Sequence, residues 1–140
     1  MTFSLNIKTA EDLAAEDQAR LVMAVTAERD RRIMQGATVT VIGLGDIPVQ
    51  GRPVDQVNLM ALADTARDLI AAGVTGAVIP FRDGDNVLHD LTPAQMLEVS
   101  RQGKEAAAAI YAASWALKDS GAIPADFAAD RHWPQGGAVT

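Results

Sequence analysis

Hydrophobic and polar positions recur with two different periods along this chain, and the changes of period divide it into elements. In three stretches, apolar residues return every three or four positions, which is the spacing of a helix with one buried face. Between these stretches lie two pairs of short segments with alternating branched and polar residues, which is typical of β-hairpins. The pattern predicts the order helix, hairpin, helix, hairpin and long helix.

The first helix is predicted to begin after Thr9 and to run toward Met34. Threonine is a good N-cap, and the two acidic residues in the first turn suit the positive end of a helix. Gly36 then supplies the left-handed conformation that commonly follows the end of a helix. The apolar stripe is sparse in the first half, so a break near Glu16 stays open as an alternative.

Two hairpins are predicted from the runs of branched residues. Residues 37–42 and 47–50 flank a glycine-rich turn and form the first hairpin, with Pro48 favouring a sheet edge. Residues 75–81 and 87–91 flank an Asp-Gly-Asp-Asn turn and form the second hairpin.

The second and third helices have clear boundary signals. Pro53 fits the start of a helix over residues 54–72, which Gly73 ends. The last helix begins with a capping box, in which Thr92 is the cap and Gln95 the residue that answers it. It continues as a long alanine-rich helix whose small residues let a partner helix approach closely. That partner belongs either to the same chain or to a neighbour.

The order of elements places the chain among small α+β domains, with a small antiparallel sheet packed on helices, and the composition agrees with one folded domain. The 140 residues correspond to one domain, and the hydrophobic content of 49% argues against extensive disorder. Aromatic residues are only 4% and much of the apolar content is alanine, so the core is thin, which favours closely packed helices or a core completed by another subunit. We divide the chain into an N-terminal arm and helix (1–36), a hairpin-helix-hairpin-helix domain (37–121) and an extended C-terminal tail (122–140).

Charge and residue content exclude several classes of function. A net charge of −6 repels phosphate, so we do not expect nucleic acid as a partner. The chain has no cysteine, which removes disulfides, thiolate catalysis and thiolate metal sites. We see no signal peptide at the N-terminus. The longest apolar run, residues 106–117, is too short to span a bilayer, so membrane insertion is not expected.

The motifs that suggest chemistry have simpler explanations. Gly43-Leu44-Gly45 follows a strand but lacks the third glycine and the helix of a dinucleotide site. The acidic turn at residues 83–86, together with Asp90, does not follow the EF-hand order, and ordinary turn chemistry explains it. His89 and His132 lack zinc-type spacing. We therefore expect no enzymatic activity, no cofactor and no metal site.

Six apolar residues are predicted to make contacts between molecules. Two aromatic residues four positions apart share one face of the last helix, which suits a core, a subunit interface or a platform for a sugar. The two ends of the chain are free to adopt the geometry of a partner, so we expect further anchors there. The predicted interaction residues are Phe3, Leu5, Tyr111, Trp115, Phe127 and Trp133.

Several features between residues 29 and 117 follow the order of a known family. They are a charged helix with a basic end, a valine-rich hairpin, a helix with Asp55 and Leu59, an acidic-turn hairpin, and a Leu-Thr-Pro-Ala-Gln helix start at residues 91–95. This order resembles a domain of unknown function of tailed bacteriophages and prophages, often found beside tail-fibre genes or at the end of tail proteins. The resemblance concerns types of element and brings no catalytic residues.

The resemblance implies a structural component of a phage or prophage tail, acting in baseplate or tail-fibre attachment. Such a protein is made in the host bacterial cytoplasm and resides in the virion. We expect it to bind itself, with a trimer as the first guess because fibres are commonly trimeric, and to contact other tail proteins through its termini. Two alternatives stay open, namely a host-surface module that binds a host glycan and an assembly chaperone for tail fibres.

Overall fold

The computed structural model describes Leu5 and residues 7–135, which fold into three helices and two antiparallel hairpins. This confirms the α+β fold class and the order of helices and hairpins. The small antiparallel sheet consists of two separate two-stranded sheets. The elements are α1 (Ala10–Met34), β1 (Ala37–Val41), β2 (Gly45–Val49), α2 (Pro53–Ala71), β3 (Ile79–Arg82), β4 (Leu88–Leu91), α3 (Pro93–Lys118) and a short 3₁₀ helix (Asp130–His132).

Helix α1 is one continuous helix, although its two halves have different surroundings. Thr9 and Asp12 form a capping box at its start, and the chain does not break at Glu16. The second half packs on α3 and buries Val25 and Ile33. Over residues 10–20 of the first half, only Gln18 is half-buried, and all other side chains are exposed. The sparse apolar stripe therefore marks a helix without a neighbour, and the alternative of a break is wrong.

The main core lies between the two hairpins, α2 and the first half of α3. In each hairpin, alternate residues point inward, as expected for strands with one covered face. The first hairpin pairs Val39 with Ile47, and the second pairs Ile79 with Leu91. The core residues are Val39, Val41, Ile47, Val49, Leu59, Ala66, Ile79, Phe81, Leu91, Met96 and Val99.

A second, smaller core joins α1, α3 and the C-terminal segment. Val25 of α1 and Leu117 of α3 pack there with Ile123 and Trp133. The described part of the tail, residues 122–135, consists of turns and the short 3₁₀ helix that fold back on the two helices. The prediction of an extended tail is thus wrong for these residues, because their apolar side chains find partners within the chain.

Gln102 joins α3 to the edge strand β1. Its Oε1 accepts the amide N–H of Thr40 at 2.9 Å, and its Nε2 donates to the carbonyl oxygen of Thr40 at 2.6 Å. The side chain is buried and satisfies backbone groups that the strand cannot pair with another strand.

A Gln102→Leu variant is expected to be less stable by about 1–3 kcal/mol, because it leaves the Thr40 backbone groups without their partner. Urea unfolding followed by circular dichroism measures this loss. An unchanged midpoint would show that water replaces the glutamine at no cost.

Glu98 makes the stability depend on pH. Hydrogen bonds from Arg101 and Gln102 lower the pKa of this carboxyl from 4.5 to about 2. A pKa that is lower in the folded state stabilises the fold above pH 4.5, and this stabilisation is lost as the pH falls toward 2.

We expect a Glu98→Gln variant to unfold at lower urea concentration than the wild type at pH 7, and to lose less stability between pH 4.5 and pH 2.5. Urea midpoints at several pH values measure both effects. Parallel pH curves for the two proteins would contradict this role of Glu98.

Candidate functional site

The titratable residues of the second hairpin organise its turn. His89 Nε2 lies 2.7 Å from Asp83 Oδ2, and Asp83 Oδ1 accepts the amide N–H groups of Asp85 and Val87. Burial raises the pKa of Asp83, but the hydrogen bonds from His89 and the two amides outweigh it, and the pKa is lowered. The acidic turn is therefore held by two backbone hydrogen bonds to Asp83 and by the contact of Asp83 with His89.

The two histidines lie against different carboxylates. His132 Nε2 is 3.0 Å from Asp126 Oδ1, and Arg131 also pairs with Asp126. His89 contacts Asp83. Over Leu5 and residues 7–135, no group of three or more histidine or acidic residues is placed to hold a metal ion.

The C-terminal aromatic residues face inward. Trp133 is 4% exposed, and its Nε1 donates to the carbonyl oxygen of Phe127 at 2.7 Å. The guanidinium carbon of Arg32 lies 5.2 Å from the Trp133 ring centroid, and Arg32 also pairs with Asp130. Phe127 and Trp133, which were predicted as outward anchors, both pack in the second core of their own chain, and Trp133 has little surface left for a partner.

The N-terminal anchors have a different outcome. Leu5 is exposed to solvent, so it is available to a partner. Phe3 lies outside the described residues.

Tyr111 and Trp115 form an aromatic pair on the surface of α3. Their ring centroids are 5.9 Å apart, with 42° between the planes. The guanidinium of Arg29 lies over the Tyr111 ring at 4.8 Å. Trp115 is 56% exposed, so in a single copy the pair is not part of a core. An interface and a sugar platform both remain compatible with this geometry.

An apolar cleft lies beside Tyr111, where the end of α1 meets α2 and α3. Its volume is about 310 Å³. The small residues of α3 are visible in the sequence, but the cleft is not, because it forms only where three helices meet. The apolar residues that line it include Ile33, Leu59, Met60, Gly103, Ala107, Ile110 and Tyr111.

Two polar residues of α3 also line the cleft. Ser100 is only 4% exposed, and its hydroxyl makes no hydrogen bond to any residue that the structure describes. Lys104 is exposed, and within residues 7–135 its ammonium pairs with no carboxylate. Both groups are thus available to a molecule that enters the cleft.

The opposite end of α1 carries an exposed arm, which we define as residues 7–20. All its side chains are exposed except that of Gln18, which is half-buried. Ile7 and Leu13 are its large apolar residues. Its charged residues are Lys8, Glu11, Asp12, Glu16, Asp17 and Arg20.

Comparison with known proteins identifies a family and no characterised relative. The family described as "Domain of unknown function (DUF4376)" matches residues 16–131. The match covers both hairpins, α2 and α3, and begins inside the arm. No curated protein and no solved structure matches the chain. Among the helices that the structure describes, none is long and apolar enough to cross a membrane.

Proposed function

We propose that this chain, which belongs to the DUF4376 family of domains of unknown function, has a structural role in the tail of a phage or prophage. In this role it resides in the virion, binds copies of itself, and contributes to baseplate or tail-fibre attachment. Its partners are other tail proteins, and it needs no catalytic centre or cofactor. The phage setting rests on the resemblance in element order, since the family description names no function.

The observation that carries the proposal is the apolar surface that a single copy leaves uncovered. Large apolar side chains stand exposed on α1, α2 and α3, among them Met23, Val57 and Trp115. The apolar cleft and the arm add to this surface. Apolar surface that is gathered in one place marks sites of protein association, and the cleft gathers apolar side chains of three helices. An assembly part covers such surface with its neighbours.

The amount of this protein in finished tails tests the proposal. Tail particles are purified from the phage or prophage that encodes the chain, and its copy number relative to other tail proteins is measured by quantitative mass spectrometry. A fixed, whole-number ratio is the expected result. Presence in the lysate with absence from the particles would contradict the structural role and favour an assembly chaperone.

A host-glycan-binding module is the second candidate, and the exposed ring of Trp115 favours it. Trp115 and Trp133 are the two tryptophans of the chain, and Trp133 is buried, so a change in emission on adding glycans reports mainly on Trp115. A glycan site predicts a saturable change that disappears in Trp115→Phe. An interface predicts instead that emission shifts with protein concentration alone.

A further inference from the structure

We infer that the arm of one copy docks in the apolar cleft of a second copy, so that copies join head to tail. This inference rests on the self-association in the proposed function and specifies its contact surfaces. Both surfaces are uncovered within one copy; both carry apolar side chains, and their charges are opposite in sign.

The arm cannot fill the cleft of its own chain. Leu13 lies near the start of α1 and Ile33, which lines the cleft, lies near its end. About 20 residues of continuous helix separate them, which is about 30 Å at a rise of about 1.5 Å per residue. Since α1 has no break, the two surfaces stay at opposite ends of the molecule, and the arm reaches only the cleft of another copy.

The apolar parts of the two surfaces match. The arm offers Ile7 and Leu13, which are exposed. The cleft offers the side chains of Leu59 and Met60 on one wall and the small residue Ala107 on the other helix. Covering these groups together removes apolar surface from water, which favours association.

The charges of the two surfaces also match. The arm carries four acidic residues against two basic ones, so its net charge is negative. The cleft carries Lys104, which makes no ion pair within residues 7–135, and the hydroxyl of Ser100, which is open to a partner. The attraction between the acidic arm and the charge of Lys104 favours association, and it favours one orientation of the arm in the cleft.

The predicted contact joins two different surfaces, so it is heterologous. Such a contact leaves one free arm and one free cleft at the two ends of a row of copies. The row closes into a ring if the rotation from each copy to the next brings the last copy back to the first. A ring of three copies is compatible with this contact, as are other ring sizes.

Two full-length variants test the contact by light scattering. Leu13→Asp replaces an apolar side chain of the arm by a carboxylate and leaves the cleft intact. Met60→Asp makes the same change in the cleft and leaves the arm intact. Each variant alone is expected to have the monomer mass of 14.8 kDa. An equal mixture is expected to reach twice that mass and no more, because only one of its two contacts is intact. Ile42→Asp is the control, since this residue is 93% exposed at a hairpin tip and should keep the wild-type mass.

The outcomes separate this inference from the proposed function. If the wild type associates and Leu13→Asp keeps its mass, the arm is not the contact, and self-association stands by another surface. A mixture that stays monomeric would also overturn the arm-in-cleft contact. A wild type that is monomeric at every concentration would remove both the contact and the self-association.

Cross-linking gives an independent readout, because the chain has no native cysteine. Leu13→Cys and Met60→Cys variants are mixed and treated with a short bismaleimide. A linked dimer that contains one copy of each variant is the expected product. Efficient linking within the Leu13→Cys sample alone would show arm-to-arm pairing and overturn the inference.

Discussion

A Gly51→Ala variant is expected to lose at least about 3 kcal/mol of folding stability, because its new methyl group has no space. A Cβ atom on Gly51 would lie 1.8 Å from the carbonyl oxygen of Ile33 and 3.2 Å from the Cα of Gly36. These are backbone atoms, so no side chain can turn away to make room. The end of α1 would have to separate from the segment that follows β2, which opens the cleft and the core beside it.

Gly103→Ala is the matched control for this prediction. Its Cβ would lie 3.7 Å from Leu59 Cδ1, which is an ordinary contact. Alanine in the interior of a helix is favoured over glycine by roughly 0.5–1 kcal/mol, so this variant should be as stable as the wild type or slightly more so. Urea unfolding of the three proteins measures the difference. A Gly51→Ala midpoint close to that of Gly103→Ala would show that the close approach of the backbones is not required.

Trp133→Ala is expected to destabilise the fold by about 3–5 kcal/mol, the usual cost of removing a large buried aromatic side chain. The variant loses the packing of the indole on Val25 and Leu117, and the hydrogen bond to Phe127. It also removes the ring over which Arg32 lies. We expect residues 122–135 to detach from α1 and α3, which amide hydrogen exchange measures as lost protection.

Trp115→Ala is the control for Trp133→Ala, because Trp115 is exposed in a single copy. Its stability at low protein concentration should stay within about 1 kcal/mol of the wild type. If both tryptophan variants lost the same stability, the C-terminal segment would not be an integral part of the fold.

The starts of the helices were predictable from sequence because their signals are local. The N-cap predicted at Thr9 and the capping box predicted at Thr92 need only residues of the next helical turn, and both are present. Leu91 and Met96, whose spacing predicts a hydrophobic staple, are both fully buried. Interactions within one turn of helix depend little on the remainder of the fold.

The sheets and the tail were less predictable because they depend on distant residues. The strand expected from residue 75 begins at Ile79, and Val78 before it is exposed. Whether Trp133 faces its own chain or a partner depends on Arg32 and Val25, which lie at the other end of the sequence. Periodicity describes an element, but it does not say which surface lies opposite.

The candidate site was only partly predictable for the same reason. The sequence showed that small residues such as Gly103 and Ala107 share a face of α3, and that their partner is either internal or external. In the structure, α2 and the end of α1 border that face and leave a cleft along it. Ser100 and Lys104 become candidate site residues only because that arrangement places them in the cleft, since neither belongs to a recognisable motif.

Self-association is the central claim, and the mass of the wild-type protein in solution tests it most directly. Light scattering over a wide range of protein concentrations gives this mass without a label. We predict a whole-number multiple of 14.8 kDa, at least at the higher concentrations, with dissociation on dilution if the contact is weak. A mass of 14.8 kDa at every concentration would contradict the account, because the arm and the cleft would then have no partner in another copy.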